Sequence, residues 1–240
     1  MRMLLELSHL RRRYDGVGGV TDVSMSVPAG CVYALCGPNG SGKTTTLSLL
    51  AGLFYGEAGR LTLNGQAVPL DRWARRPGLG FVADVPILDE ALTPWQWVAF
   101  VASLKGVQPA ADAELQADTL TLTPDALHQP IYTLSGGTRR KVALWTEFVT
   151  TSVAIALDEP LVGLDPQAIH GFHEAVRRYV ASGRAVVLST HLLHEAEAIA
   201  THVGILAEGV TRTEGALSEV RGGSSLFTAF LKVTGRAGSD

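Results

Sequence analysis

Apolar and polar residues alternate along residues 4–10 and 23–27, the period-two pattern of strands with one face in a core. A different pattern begins at Cys31. The run Cys31-Val32-Tyr33-Ala34-Leu35-Cys36 is apolar throughout, as in a strand covered on both faces. It feeds a glycine-rich turn, after which residues 44–53 read as a helix brought to an end by Gly56. Residues 94–151 carry mostly helical spacing, with breaks at Gly106-Val107-Gln108-Pro109 and across residues 124–130. Two further apolar runs follow, Val153-Ala154-Ile155-Ala156-Leu157 and Ala185-Val186-Val187-Leu188-Ser189, separated by a helical stretch over residues 169–181. Strands that alternate with helices imply an α/β fold with a mainly parallel sheet, here with a helical arm inserted between its halves. There is no internal repeat or low-complexity linker, and the tail from Gly235 to Asp240 is expected to fray.

The 240 residues are 46% hydrophobic and 18% charged, the balance of a globular chain with ample core. A mean hydropathy of +0.19 raises the question of a membrane span. The longest uncharged stretch, residues 23–42, is broken throughout by Ser, Pro and Gly, and residues 91–104 are too short and contain Pro94. Neither supplies the roughly 20 apolar residues that a spanning helix needs. Glu6 falls where a signal peptide would have its apolar centre. The expectation is a soluble chain that reaches a membrane only through a partner. A net charge of −3 gives no electrostatic reason to expect nucleic-acid binding. Arg11-Arg12-Arg13 reads as a solvated face. Cys31 and Cys36 sit five positions apart, an odd offset that points them to opposite faces of a strand. They read as two buried thiols in a reducing cytoplasm, not a disulfide or a metal pair.

The chemistry begins with Gly37-Pro38-Asn39-Gly40-Ser41-Gly42-Lys43-Thr44, which follows a strand, opens a helix and matches the phosphate-loop pattern G-x-x-x-x-G-K-[ST]. Its glycines let backbone N–H groups converge on phosphates at a helix N-terminus. Lys43 is expected to reach the β- and γ-phosphates, the Thr44 hydroxyl to hold Mg²⁺, and Thr45 to complete the nucleotide contacts. Asp158-Glu159 closes the run from Ile155, so an apolar strand delivers two carboxylates to its C-terminal edge. Alone, such a pair is more often a turn. Downstream of a phosphate loop on the same sheet, Asp158 reads as a Mg²⁺ ligand, direct or through water. Glu159 then reads as the group that polarises the attacking water, worth ~10²–10⁴-fold in rate. Leu134-Ser135-Gly136-Gly137-Thr138 opens a helix over residues 139–148. Ser and Gly at a helix start can form an anion site, although for this segment by itself an ordinary Ser N-cap with flexible glycines is the favoured reading.

In this order the motifs resemble the ATPase subunits of ABC transporters, and the resemblance covers residues 4–235. It implies a phosphate-loop ATPase core with a mainly parallel sheet, an N-terminal antiparallel β part and an inserted helical arm. One domain would span 1–235, with a core lobe at about 1–83 and 152–220, an arm at 84–151, a C-terminal helix at 222–234 and a tail at 236–240. Ser135, Gly136 and Gly137 match the family's signature segment, which contacts ATP held by a second copy, so hydrolysis would require a head-to-tail dimer. Tyr14 matches the aromatic residue that stacks on adenine, its alternative being mere cover for a sheet edge. Gly163-Leu164-Asp165-Pro166 matches the D-loop, and His191 the switch histidine that contacts the γ-phosphate. Glu195 to Glu197 and Gly204 to Gly209 are similar to the family's closing helix and hairpin.

The sequence departs from the family pattern at Thr138, where Gln is common, and at Leu161 and Val162, which replace polar residues. It departs again at Asp84, which occupies the place of a magnesium-touching glutamine. The resemblance implies ATP with Mg²⁺, an integral membrane permease as partner, no nucleic acid, and a place on the inner face of the cell membrane. Its nearest members are bacterial exporters of drugs, antibiotics, lipids or polymers. DNA-repair ATPases with the same motifs carry long heptad coiled coils that residues 56–134 lack. Ribosome-associated relatives carry two such domains in tandem, and phosphate-loop kinases and GTPases lack the signature and the switch histidine.

Overall fold

The computed structural model describes residues 2–14, 18–71 and 76–235. Residues 236–240 of the tail expected to fray lie outside this set.

The two alternating segments pair with each other. β1 (Met3–Arg13) and β2 (Gly19–Pro28) run antiparallel, and Leu5, Leu7, Val23 and Met25 are buried in one core. The uninterrupted run becomes β3 (Val32–Cys36), buried at every position. Val32, Ala34 and Cys36 enter one core while Cys31, Tyr33 and Leu35 enter the other. The odd spacing therefore does separate the two cysteines, and both are buried and free. α1 (Lys43–Ala51) follows and stops at Gly52, short of the expected Gly56. Gly52 adopts a left-handed φ of 80° and donates to the carbonyls of Ser48 and Leu49, which closes the last turn. β4 (Ala58–Leu63) and β5 (Gln66–Val68) then extend the antiparallel part beyond β1.

β6 (Leu79–Val82) leads into the helical insertion of α2 (Pro94–Lys105), α3 (Ala113–Thr119), α4 (Pro124–His128) and α5 (Gly136–Thr150). α2 begins with a capping box in which Thr93 and Gln96 satisfy each other's backbone N–H groups. The expected break at 124–130 contains the short α4. Thr123 caps it by accepting from the Ala126 N–H, and Pro124 suits the first helical position. α5 starts earlier than residue 139 because Ser135 caps it.

β7 (Ala154–Asp158), α6 (Pro166–Ala181) and β8 (Ala185–Thr190) restore the alternation. They are followed by α7 (Leu193–Ile199), the hairpin of β9 (His202–Ala207) and β10 (Val210–Ala216), and then α8 (Leu217–Arg221) and α9 (Leu226–Val233).

The strands form one sheet in the order β5-β4-β1-β2-β10-β9-β3-β8-β7-β6. From β9 to β6 every pairing is parallel. The hairpin strand β10 joins this part to the antiparallel part through one pair, Val210 with Asp22. One core lies between the parallel strands and the helices of the insertion with α6. There Trp145 is fully buried, meets Trp95 edge-on at 4.8 Å and donates from Nε1 to the Ala113 carbonyl at 2.8 Å. The second core joins α1, through Leu47, Leu49 and Leu50, to β1 and β2. Burying each such side chain contributes about 1.5–3 kcal/mol.

Parallel register fixes what happens at the edge. Cys36 lies opposite Thr190, Asp158 opposite Ser189, and Val82 opposite Leu157. The turns after β3, β6, β7 and β8 therefore all emerge on one side, where ligands of parallel sheets bind.

Candidate active site

The turn after β3 is shaped by its glycines. Gly40 and Gly42 hold φ of 78° and 104°. A Cβ on Gly37 would lie 2.5 Å from Ser41 Oγ, and one on Gly42 would lie 2.6 Å from Val20 Cγ1. Gly42 holds the N-cap position of α1 without a side-chain cap, which leaves first-turn N–H groups to face an anion. Among the described residues Ser41 Oγ is buried and has no hydrogen-bond partner. Lys43 is buried too, and its Nζ donates to the carbonyls of Gly37 at 2.9 Å and Pro38 at 3.2 Å. Burial pulls its pKa down, opposed by the nearby Glu159 and Asp158. An orphaned hydroxyl, uncapped amides and a partly desolvated cation together suit a polyphosphate.

Glu159, the residue after β7, has a φ of 45°. That left-handed conformation costs a residue with a side chain about 1–2 kcal/mol, so it persists only where its surroundings hold it. The holding bonds are identifiable. Its N–H donates to Ser189 Oγ at 3.0 Å, and its carbonyl accepts from Arg140 Nη1 at 2.8 Å. Its carboxylate Oε2 lies 2.9 Å from His191 Nδ1. Ser189 also donates to the buried Asp158 carboxylate, so one hydroxyl orders both acidic residues. Arg140 in turn donates to the Asp84 carbonyl and stands 3.4 Å from Asp84 Oδ1.

One cleft of about 410 Å³ is lined by Tyr14, Asn39, Gly40, Ser41, Gly42, Lys43, Thr44, Thr45, Asp84 and Glu159, whereas Asp158, buried and bonded to Ser189, does not line it. Thr44 and Asp84 bring hard oxygen donors to this cleft. Mg²⁺ keeps several waters and takes one or two protein oxygens beside substrate phosphates, so this sparse donor set fits it. Tyr14, also in the cleft lining, stands edge-on to Phe54 at 6.2 Å. The Arg12 guanidinium lies 5.5 Å from the Tyr14 ring and 4.6 Å from the Tyr55 ring. Arg12 thus does not share the solvated face expected of the arginine run, because strand alternation turns it away from Arg11 and Arg13. Gly37, Pro38 and His191 border a neighbouring hollow of about 420 Å³, closed on its far side by Phe227 and Phe230 of α9.

Ser135, Gly136, Gly137 and Asp165 do not line that cleft. Ser135 caps α5 by accepting from the Thr138 N–H at 3.2 Å. A Cβ on Gly136 would meet nothing within 4 Å, so the segment is open, while one on Gly137 would lie 3.0 Å from the Gly163 carbonyl. Asp165 caps α6 through the Ala168 N–H at 2.9 Å, a bond that lowers its carboxyl pKa. Arg139 anchors the segment, pairing with Glu90 at 2.7 Å and donating to the carbonyls of Leu134 and Tyr132. Residue patterns alone missed Arg140 and the role of Ser189. The signal for Arg140 was present: a cation one turn before Ala143 and Leu144, on the apolar face of its helix.

Residues 20–162 match the family model described as ABC transporter. The chain belongs to this family. It is similar to the Nod factor export ATP-binding protein I of Burkholderia orbicola (strain AU 1054), 33% identical over 88% of this chain and 70% of that protein. It is also 32% identical to the daunorubicin/doxorubicin resistance ATP-binding protein DrrA of Streptomyces peucetius, over 95% of this chain and 69% of that one. A solved ATP-binding subunit of an ABC transporter superposes with a TM-score of 0.85 at 29% identity, covering 96% of this chain and 99% of the other. This ABC protein is accordingly an ATP-binding, ATP-hydrolysing subunit built on the ABC ATPase fold. Among the described residues no helix is long and apolar enough to cross a membrane.

Proposed function

We propose that this ABC ATPase drives an exporter, working as a head-to-tail pair that clamps two ATP molecules and moves a separate membrane permease on the cytoplasmic side. The observation that carries the pairing is the separation of two elements that both suit phosphate. Ser135 to Gly137 are open, and they stand apart from the cleft that holds Lys43 and Glu159 in the same chain. A second copy, turned about a two-fold axis, would bring its signature segment to that cleft and receive one in return. The similarity to proteins named for Nod factor export and for daunorubicin/doxorubicin resistance supports export.

In this reading Gly37 to Thr45 wrap the phosphates and Lys43 neutralises the β- and γ-phosphates. Tyr14 stacks on the base. Mg²⁺ held by Thr44 and Asp84, and by Asp158 directly or through water, would offset phosphate charge during transfer. Glu159 accepts a proton from the attacking water while His191, at its carboxylate, orients toward the γ-phosphate. Asp165 conveys the state of one site to the other. The chain acts as one domain over 1–235, its arm at 84–151 swinging against the lobe formed by 1–83 and 152–220. Exposed apolar side chains on that arm, Val85, Ile87, Phe100 and Leu104, support docking of an apolar permease segment there.

The test is affinity purification of the tagged chain from detergent-solubilised membranes of its own cell. Recovery of a multi-span protein in stoichiometric amount is expected. Recovery instead with ribosomes, or salt-sensitive retention on DNA, would overturn the transport reading.

A further inference from the structure

Arg140 belongs to none of the motifs above, yet it reaches two of them. It sits on α5 five residues past Ser135, with 11% of its side chain exposed. Nη1 donates to the main-chain carbonyl of Glu159 at 2.8 Å, and Nη2 donates to the main-chain carbonyl of Asp84. β6 and β7 are neighbours in register, so Asp84 and Glu159 stand in the two adjacent turns at their C-terminal ends. One guanidinium thus ties both turns to the first turns of the helix that carries the signature segment. A nearly buried cation needs compensation. The carboxylate of Asp84, at 3.4 Å, is the one ion-pair partner of Arg140 among the described residues.

Glu159 supplies the reason such a tie matters. Its left-handed backbone is fixed on the N–H side by Ser189 and on the carbonyl side by Arg140. With the second bond gone, the peptide is free to rotate toward the ordinary right-handed region. The carboxylate then swings away from His191 and from the cleft. We propose that Arg140 is a positioning residue for ATP hydrolysis, which holds the Glu159 carboxylate in its working orientation and links it to the Asp84 turn. This rests on the reading of Glu159 as the proton acceptor.

The test compares kcat, KM, ATP Kd and Tm for Arg140→Gln, Arg140→Lys, Glu159→Gln and the double variant Arg140→Gln/Glu159→Gln. Misplacing a reacting group by about 1 Å costs about 10²-fold, so Arg140→Gln should lower kcat by about 10- to 100-fold, with ATP Kd within about twofold. Arg140→Lys should fall between, because a point-charge ammonium cannot bridge two carbonyls as a planar fork does. It also keeps the test available should the Gln variant fail to fold. In the Glu159→Gln background, Arg140→Gln should produce no further loss, since both act on one group. Unchanged kcat, a multiplicative loss in the double variant, or a loss that follows Kd or Tm would each overturn the proposal. Normal turnover of Glu159→Gln would instead remove its foundation, and is readable independently of Arg140.

Discussion

Glu159 Oε2 and His191 Nδ1 lie 2.9 Å apart, although the two residues follow different strands, β7 and β8. The Glu159 side chain is 15% exposed and that of His191 50%. The carboxylate is thus sheltered while the imidazole stays free to turn outward. In the proposed mechanism this contact joins the proton acceptor to the residue that faces the γ-phosphate. Glu159→Gln should leave ATP binding intact and lower turnover by ~10²-fold or more, because the amide cannot accept the proton of water. His191→Ala should also lower kcat, and the double variant should be little worse than Glu159→Gln alone. Steady-state hydrolysis with a separate binding titration measures this. Near-normal turnover of Glu159→Gln would remove it from the chemistry.

Tyr14 should act on the base and not on the phosphates. Loss of stacking costs ~1–3 kcal/mol, or about 5- to 150-fold in affinity. Tyr14→Ala should therefore weaken ATP by that factor and leave inorganic triphosphate unaffected, while Tyr14→Phe and Tyr14→Trp keep the platform. Titrations with both ligands decide it. Equal losses for the two would mean a general disturbance of the edge that Tyr14 shares with Arg12 and Phe54.

The cysteines should be silent in the folded protein. Burial pushes the Cys31 thiol up to about 11 and the Cys36 thiol up to about 12. Below those values the thiol form dominates, so at pH 8 the reactive thiolate is at most about one part in a thousand. Iodoacetamide at pH 8 should leave both unmodified in the native state and modify both in denaturant, read by mass spectrometry. Rapid labelling of either in the native protein would contradict this burial.

The core of the site was legible because its signals are local. The apolar run from Cys31, the glycine spacing after it and the carboxylates after Leu157 each specify strand, turn or edge within a few residues. The signature segment was less so, since Ser135 and its glycines are equally a cap, and they do act as one in the chain by itself. What escaped the sequence is what depends on distant partners. β6 is only four residues long and contains Gly80, whose missing Cβ makes room for Glu147 and Thr151. α1 ends at Gly52 and not Gly56 because either glycine can close a helix, and only packing chooses. The partners of Arg140, unlike its burial, required knowing that β6 and β7 are neighbours, which no spacing encodes.

The pairing of two copies is tested most directly by the mass of the Glu159→Gln variant in solution, with and without Mg-ATP. By size exclusion with light scattering, Glu159→Gln should run near the 25.4 kDa of one chain without nucleotide and at twice that mass with ATP, because bound ATP is not consumed. Adding Ser135→Arg should restore the single-chain mass in ATP while nucleotide binding to the monomer survives. A Glu159→Gln protein that stays monomeric at saturating ATP, or a Ser135→Arg variant that still pairs, would contradict the head-to-tail arrangement.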